Sequence, residues 1–313
     1  VRFILRQGEE VATMAIEQLE RASVGRPITR GGVSLYPIYL HGGAGIDIAA
    51  RPSDVEITEQ GSAEVPMITV TNPGKRPTLL VEGETVTGGQ QNRVLNVSVL
   101  VPAGATVNVP VSCVEAGRWN GLSAFERGRT FAPRRVRRVK SASVSNSVRH
   151  GGTKRSDQGA VWGTIDYELD RHKIDSVTRS IHATEMLLDA ESSLATAAHE
   201  LVDFGPLPGQ CGIVLGHGKR IVAAEIFATP ELLAANWEAL IRAALLDAPE
   251  RIEGSPSVSR ALRFVTRIGT ARGTSSPGVG LGEELHMETT RMVAQALTLD
   301  GAVVHASAFA LAA

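Results

Sequence analysis

Cysteine is nearly missing from this chain. Cys113 and Cys211 are the only two in 313 residues, they lie far apart, and they form no CxxC pair, which argues against both a disulfide framework and a zinc ribbon. A reducing, cytoplasmic setting is the compartment that fits. An excess of one charge is missing too. With 32 basic and 33 acidic residues the net charge is -1, so no whole-molecule field draws the chain to nucleic acid or membrane, and any recognition of an anion has to be local. Long apolar runs are also lacking. The opening VRFILRQGEEVATMAI interrupts its hydrophobic residues with Arg6, Glu9 and Glu10, so no signal-peptide core is expected there. No later stretch approaches the ~20 apolar residues of a membrane span. Aromatic residues make up only 4%, and around the most basic stretch only Phe125 and Phe131 are interleaved, so nucleic acid is not an expected partner.

What remains is the composition of a globular protein, 43% hydrophobic and 21% charged, long enough to bury a substantial core. Short runs of Val, Ile, Leu and Thr bounded by Gly and Pro predict strands at 33–40, 67–71, 79–84, 94–101 and 106–113. Pro102-Ala103-Gly104 predicts a turn joining the last two as a hairpin. From 127 to 155 ten Arg and Lys occur without one acid, a block that reads either as a solvated loop or as an anion-facing segment. Helical spacing then predicts two helices between 160 and 204, broken at Asp175-Ser176, and a third starting at Thr229-Pro230-Glu231, with Trp237 in the core. A weaker helix is expected over 11–22, a glycine-rich loop at His41 to Gly45, a hairpin from Cys211 to Phe227, and extended chain at 264–268 and 302–309. The expectation is an α+β protein, one elaborate domain over 1–313: a β-rich part at about 33–119, a basic connection at about 120–159 and a mixed helical α/β part at about 160–313.

The polar residues that stand out lie among these strands. Glu82 and Glu84, two apart on one strand, would share a face, and like charges that close raise each other's pKa unless a cation lies between them. They therefore read as an acid/base pair or a site open to a divalent cation, against the alternative of two surface acids paired with Arg93 or Arg118. Arg93 and Arg118 suit a diphosphate, Trp119 suits stacking on a base, and Gln91, Asn92 and Asn96 offer groups for base or ribose hydroxyls. Cys113, in a run of valines, reads as a buried small hydrophobe ahead of a nucleophile. Glu82, Glu84, Arg93, Glu115 and Arg118 are expected to converge on one concave pocket.

The strings EGE at 82–84, QNRVLN at 91–96, SVLVPAG at 98–104, PVSCVEAGRW at 110–119, SDQGAVW at 156–162 and GAVVHASAF at 301–309 resemble the ARG and rhodanese-phosphatase-superfamily-associated protein domain. The likeness spans most of the chain in order. The family name records an association with ADP-ribosylglycohydrolases, so the resemblance implies a nucleotide or ADP-ribose-type ligand and adds weight to Glu82, Glu84, Glu115 and His305 as catalytic candidates. His182, His199 and His286 are equally available by type. Two functions follow as expectations: binding with hydrolytic processing of ADP-ribose or an NAD-derived nucleotide, or a non-catalytic binding or scaffolding module. The cofactor is left unknown, and a homo-oligomer is left open.

Overall fold

In the computed structural model, residues 16–41, 47–52, 54–60, 66–121, 124–189, 192–248 and 254–311 are described. Residues 11–15 of the expected helix at 11–22 and 42–45 of the expected glycine loop lie outside them; the described part of the former holds α1 (Glu17–Glu20).

In chain order there follow β1 (Ser23–Val24), β2 (Ile28–Arg30), β3 (Val33–Tyr39), β4 (Glu56–Glu59), β5 (Met67–Thr71), β6 (Thr78–Leu80), β7 (Glu84–Gly88), β8 (Arg93–Leu95), β9 (Val99–Val101), β10 (Thr106–Cys113) and β11 (Ala124–Phe131). Then come α2 (Arg134–Gly151), α3 (Gln158–Arg171), a 3-10 turn (Ile181–Glu185), α4 (Met186–Asp189) and α5 (Ser193–Phe204). The chain finishes with β12 (Gly212–His217), β13 (Arg220–Phe227), α6 (Pro230–Leu246), α7 (Val258–Thr270), β14 (Gly273–Pro277), β15 (Glu283–Glu288), β16 (Met292–Leu299) and β17 (Ala302–Ala310). The fold is α+β, β-rich in its first half and mixed in its second.

Two sheets organise the molecule. Strands β10, β5, β4, β11, β7 and β8 close a barrel, whereas β1, β3, β12, β13, β17, β16, β15 and β14 lie in that order in an open antiparallel sheet to which β2 adds beside β3. β3 thus takes a place among strands from the far end of the chain. One face of the open sheet packs on α1 and α7 through Ile38, Val214, Ala308, Phe264 and Val265; the other packs on α5 and α6 through Leu215, Phe227, Leu201 and Leu240. Helix α2 bridges sheet and barrel. Its Val144 and Val148 join the barrel core, and Val136 packs with Val161, Ile165 and Leu169 of α3.

Several expectations change here, each for a local reason. The run at 79–84 is not one strand: Gly83, at φ 83°, turns the chain between β6 and β7, and a Cβ there would strike the Arg137 side chain. The run at 94–101 also divides. Its first part pairs with β10 and its second with β6, so no hairpin forms across Pro102–Gly104. The basic block is a strand and an 18-residue helix, since Val136, Val144 and Val148 supply a buried stripe and Arg137 and Lys140 between them find acids. Between 160 and 204 the chain makes α3 and α5, with the 3-10 turn and α4 between them. Residues 264–268 are helical, because Ala261, Phe264, Val265 and Ile268 repeat at helical spacing behind the Ser257 cap, which accepts from the Arg260 N–H. By contrast, β5 and β10 match their expected ranges, Thr229 caps α6 with Pro230 in its first turn, and Trp237 is buried with Nε1 donating to Leu201 O. No helix among the described residues is long and apolar enough to cross a membrane.

Candidate functional site

The expected acids and arginines are distributed between two networks and a separate clamp on Glu84. The first is a buried chamber where α2 crosses the open sheet. Along α2, Arg137 and Lys140 stand three residues apart and so share a face. Opposite them, adjacent strands carry a polar row, Glu225 beside Ser307, Ser307 beside Gln295, and Gln295 beside His286. Glu82, carried in at the β6–β7 turn, completes the contact. Arg137 Nη2 donates to Glu82 Oε2 at 2.7 Å, Lys140 Nζ donates to Oε1 at 2.7 Å, and Ser307 Oγ donates to Oε2 at 2.8 Å. Arg137 Nη1 lies 2.6 Å from Glu225 Oε1, as an ion-pair contact rather than an aligned hydrogen bond. Two carboxylates and two cations are therefore balanced out of contact with water.

Burial alone would raise the Glu82 pKa, but Arg137 and Lys140 outweigh it and hold the carboxyl at about 2. The same burial lowers Lys140, while Glu225 and Glu82 overcome it at Arg137 and raise that group. An acid held this low stays ionised at neutral pH and is a poor proton donor. His305, also in the chamber, has its Nδ1 2.8 Å from Ser98 Oγ and its Nε2 3.3 Å from Glu225 Oε2, and its ring lies 4.8 Å from that of Phe227. The Glu82 N–H donates to Ser98 Oγ. Ser98, His305 and Glu225 thus form a hydrogen-bonded line. Beside Ser98 lies a void of about 10 Å³ lined by Glu284, His286 and Gln295, room for roughly one water.

Glu84 does not join Glu82. It is clamped from two sides by Arg127, whose Nε and Nη2 donate to its two oxygens at 2.5 and 2.7 Å, with Arg51 at 3.3 Å. Burial opposes the charge, and Arg127 again wins, lowering the pKa. The cations beside the two acids are therefore Arg137, Lys140, Arg127 and Arg51, and not Arg93 or Arg118.

The second network is at the end of β10. Arg118 spends all five of its N–H donors inside the fold: on Glu115 Oε2, on the backbone oxygens of Gly88, Gly89 and Asn120, and on Asn92 Oδ1. Glu115 also accepts from the Asn92 N–H and Thr178 Oγ1; burial opposes its charge, but Arg118 and Thr178 hold its pKa low. His182, next to Asn92, is pushed to about 4 by burial. Arg93 is wholly buried, donating to Gln91 Oε1 and reaching Glu59, with its guanidinium 5.8 Å from the centre of the Trp119 ring. Trp119 itself is 51% exposed. Asn96 accepts from Ser112 Oγ and donates to Lys154 O. Cys113 donates to Gln91 Oε1, and burial pushes its thiol to about 11, Arg93 notwithstanding. Gln158 binds the Cys113 backbone on both sides, and Asp157 caps α3. This network braces the loop before β8 against α3.

None of Glu82, Glu84, Arg93, Glu115 and Arg118 lines the three larger clefts. The largest, about 760 Å³, is within the range of small-molecule sites and opens between the end of α3 and the N-terminus of α5. Its walls are Ile174, Leu187, Leu194 and Leu245, with Met186, 61% exposed, at its edge. Polar groups come from Arg171, His172, Lys173, Ser192 and Ser193, with one carboxylate, Asp175, also lining it. Arg171 is tied to Glu168 and to Leu246 O, whereas burial and Arg171 lower the His172 pKa. Lys173 is exposed and adopts φ 55° just past α3, a position that favours glycine.

Sequence reasoning missed Arg137 and Lys140 by reading their stretch as a solvated loop or an anion-facing segment and not as a helix; the valines at 136, 144 and 148 were the available signal. It also missed Glu225, a single acid within the apolar run IVAAEIF. Lys173 carries no sequence signal, because its backbone conformation is set by the end of α3. Among the described residues, no three His, Cys, Asp or Glu side chains gather as a metal site.

A family model for the ARG and Rhodanese-Phosphatase-superfamily-associated Protein domain matches residues 21–309. No curated protein and no solved structure matches the chain.

Proposed function

The chain belongs to that family, and from this premise we propose that it binds a phosphate-bearing nucleotide of the ADP-ribose or NAD-derived class in the cleft between α3 and α5. The observation that carries the reading is Lys173: an exposed cation held in a left-handed conformation, lining the same cleft as Ser192 and Ser193 at the N-terminus of the 12-residue helix α5. A non-glycine residue at such φ costs roughly 1–3 kcal/mol, and strain of that kind concentrates at binding sites. A lysine and a helix N-terminus suit a phosphate, while Met186, Leu187 and Ile174 offer an apolar surface to a base.

The test compares affinity and stability in one variant. Lys173→Gly relieves the backbone and should raise the stability of the unliganded protein by about 0.5–1 kcal/mol. It should also weaken ADP-ribose more than tenfold in calorimetry, the cost of losing a charged hydrogen bond. Failure of ADP-ribose, NAD and AMP to raise the melting temperature, with and without Mg²⁺, would reject the reading; so would unchanged affinity in Lys173→Gly.

Hydrolysis is a second reading, favoured by the line Ser98–His305–Glu225, in which a hydroxyl, an imidazole and a carboxylate are in contact. All three are buried, so turnover would require α2 to lift from the sheet. Release of product from ADP-ribose that is lost in Ser98→Ala, with affinity kept, would support it; absence of turnover in the native protein leaves the binding function alone.

A further inference from the structure

On the far side of the molecule lies a second, chemically different cleft. Helix α7 is strongly two-sided. Its buried face is Ala261, Phe264, Val265 and Ile268, and its outer face carries Arg260, Arg263 and Arg267 at spacings of three and four, so the three guanidinium groups form one row. The turn between β12 and β13 adds Lys219 and Arg220, and the turn into β16 adds Arg291. These six cations line one groove of about 480 Å³, and no carboxylate lines it among the described residues. Nor does any of the six make an ion pair among the described residues; their one side-chain hydrogen bond there, from Arg260 Nη1 to Lys219 O at 3.2 Å, ties the helix to the turn. Elsewhere the pattern is the reverse, with arginines such as Arg118, Arg127 and Arg137 each committed to an acid.

Six like charges in one concavity repel one another, and in a chain of net charge -1 they are no by-product of a basic composition. We infer that this groove is a binding site for a short polyphosphate chain, the chemistry common to inorganic polyphosphate and to the phosphate tail of a nucleoside triphosphate. Guanidinium groups in a row match successive phosphate oxygens in two-pronged fashion. The groove's one aromatic lining residue is Phe264, which is buried at 4% exposure, so no ring is available for the base stacking that single-stranded nucleic acid uses. The site is independent of the cleft at Lys173 and shares no residue with it.

The test is calorimetry of the whole chain with inorganic tripolyphosphate, orthophosphate, ATP and a short single-stranded RNA. Tripolyphosphate should bind at least about tenfold more tightly than orthophosphate, and its affinity should fall as salt is raised. Arg220→Glu and Arg263→Glu, exposed side chains on two different elements, should each weaken tripolyphosphate about tenfold or more and together abolish binding, whereas Lys75→Glu, an equal charge change at an exposed position outside the groove, should leave it intact. Equal binding of ATP and tripolyphosphate assigns the site to the phosphate chain alone; clearly tighter ATP assigns it to a nucleotide tail. Absence of tripolyphosphate binding, or binding weakened as much by Lys75→Glu as by Arg263→Glu, overturns the inference. RNA binding more tightly than tripolyphosphate through the same arginines overturns it in favour of a nucleic-acid surface.

Discussion

Replacing Glu82 with glutamine perturbs the chamber at its most constrained point. The carboxylate is fully buried and is the shared acceptor of Arg137, Lys140 and Ser307, so its removal leaves two buried cations facing Glu225 alone. Breaking a buried pair from one side costs about 3–5 kcal/mol. The acid's own titration gives an independent magnitude. A shift from 4.5 to about 2 is worth about 3 kcal/mol at roughly 1.4 kcal/mol per unit. Because the folded pKa lies below the unfolded one, that stability is fully present above about pH 5 and is lost as the pH falls towards 2, with about 2 kcal/mol gone by pH 3. Urea unfolding of the native protein and Glu82→Gln at pH 7 and pH 3 separates this group from the other acids, which titrate in both proteins. The variant should be less stable by about 3–5 kcal/mol at pH 7, and the gap should close by about 2 kcal/mol at pH 3. A gap under about 1 kcal/mol at pH 7, or one that stays constant with pH, would refute the account of Glu82 as the ionised centre of the chamber.

Two further outcomes follow from the same geometry. Cys113, with its thiol at about 11, should react with iodoacetamide at pH 8 at least about a hundredfold more slowly than the same thiol in urea-unfolded chain, as followed by mass spectrometry; rapid labelling in the folded state would reopen a nucleophilic role. Arg118→Lys should destabilise by about 2–3 kcal/mol in chemical denaturation, nearly as much as Arg118→Ala, because one ammonium cannot span five acceptors held by a planar fork; full rescue by lysine would mean that charge alone matters there.

Much of the fold was legible because its signals are local. Met67–Thr71 and Thr106–Cys113 alternate and end at turn residues, and Thr229-Pro230 is a helix start whatever surrounds it. The errors arose where a long-range partner decides. A run of apolar residues from 94 to 101 says strand, but only the pairing of its two ends with different neighbours, β10 and β6, shows that it bends at Asn96–Ser98. Residues 264–268 are apolar enough for either structure over five positions, and the helix is distinguishable only over the longer window from 258 to 270.

The same distinction explains the site residues. Glu82 and Glu84 were identifiable as unusual acids among strands, yet their chemistry belongs to their partners, and those lie 55 and 43 residues further along the chain, in Arg137 and Arg127. A block of arginines and lysines without acids reads from sequence as a solvated loop or an anion-facing segment because acids are absent locally; within it Arg137 and Lys140 are buried because their neutralising acids come from other elements. The face of α2 that carries Arg137 and Lys140 needs Glu82 and Glu225 before it can pack on the open sheet at all. The converse holds on α7, where three arginines at the same spacings find no acid among the described residues. Equal local patterns thus have opposite fates, and what separates them is whether the fold itself provides the counter-charge or leaves that to a ligand.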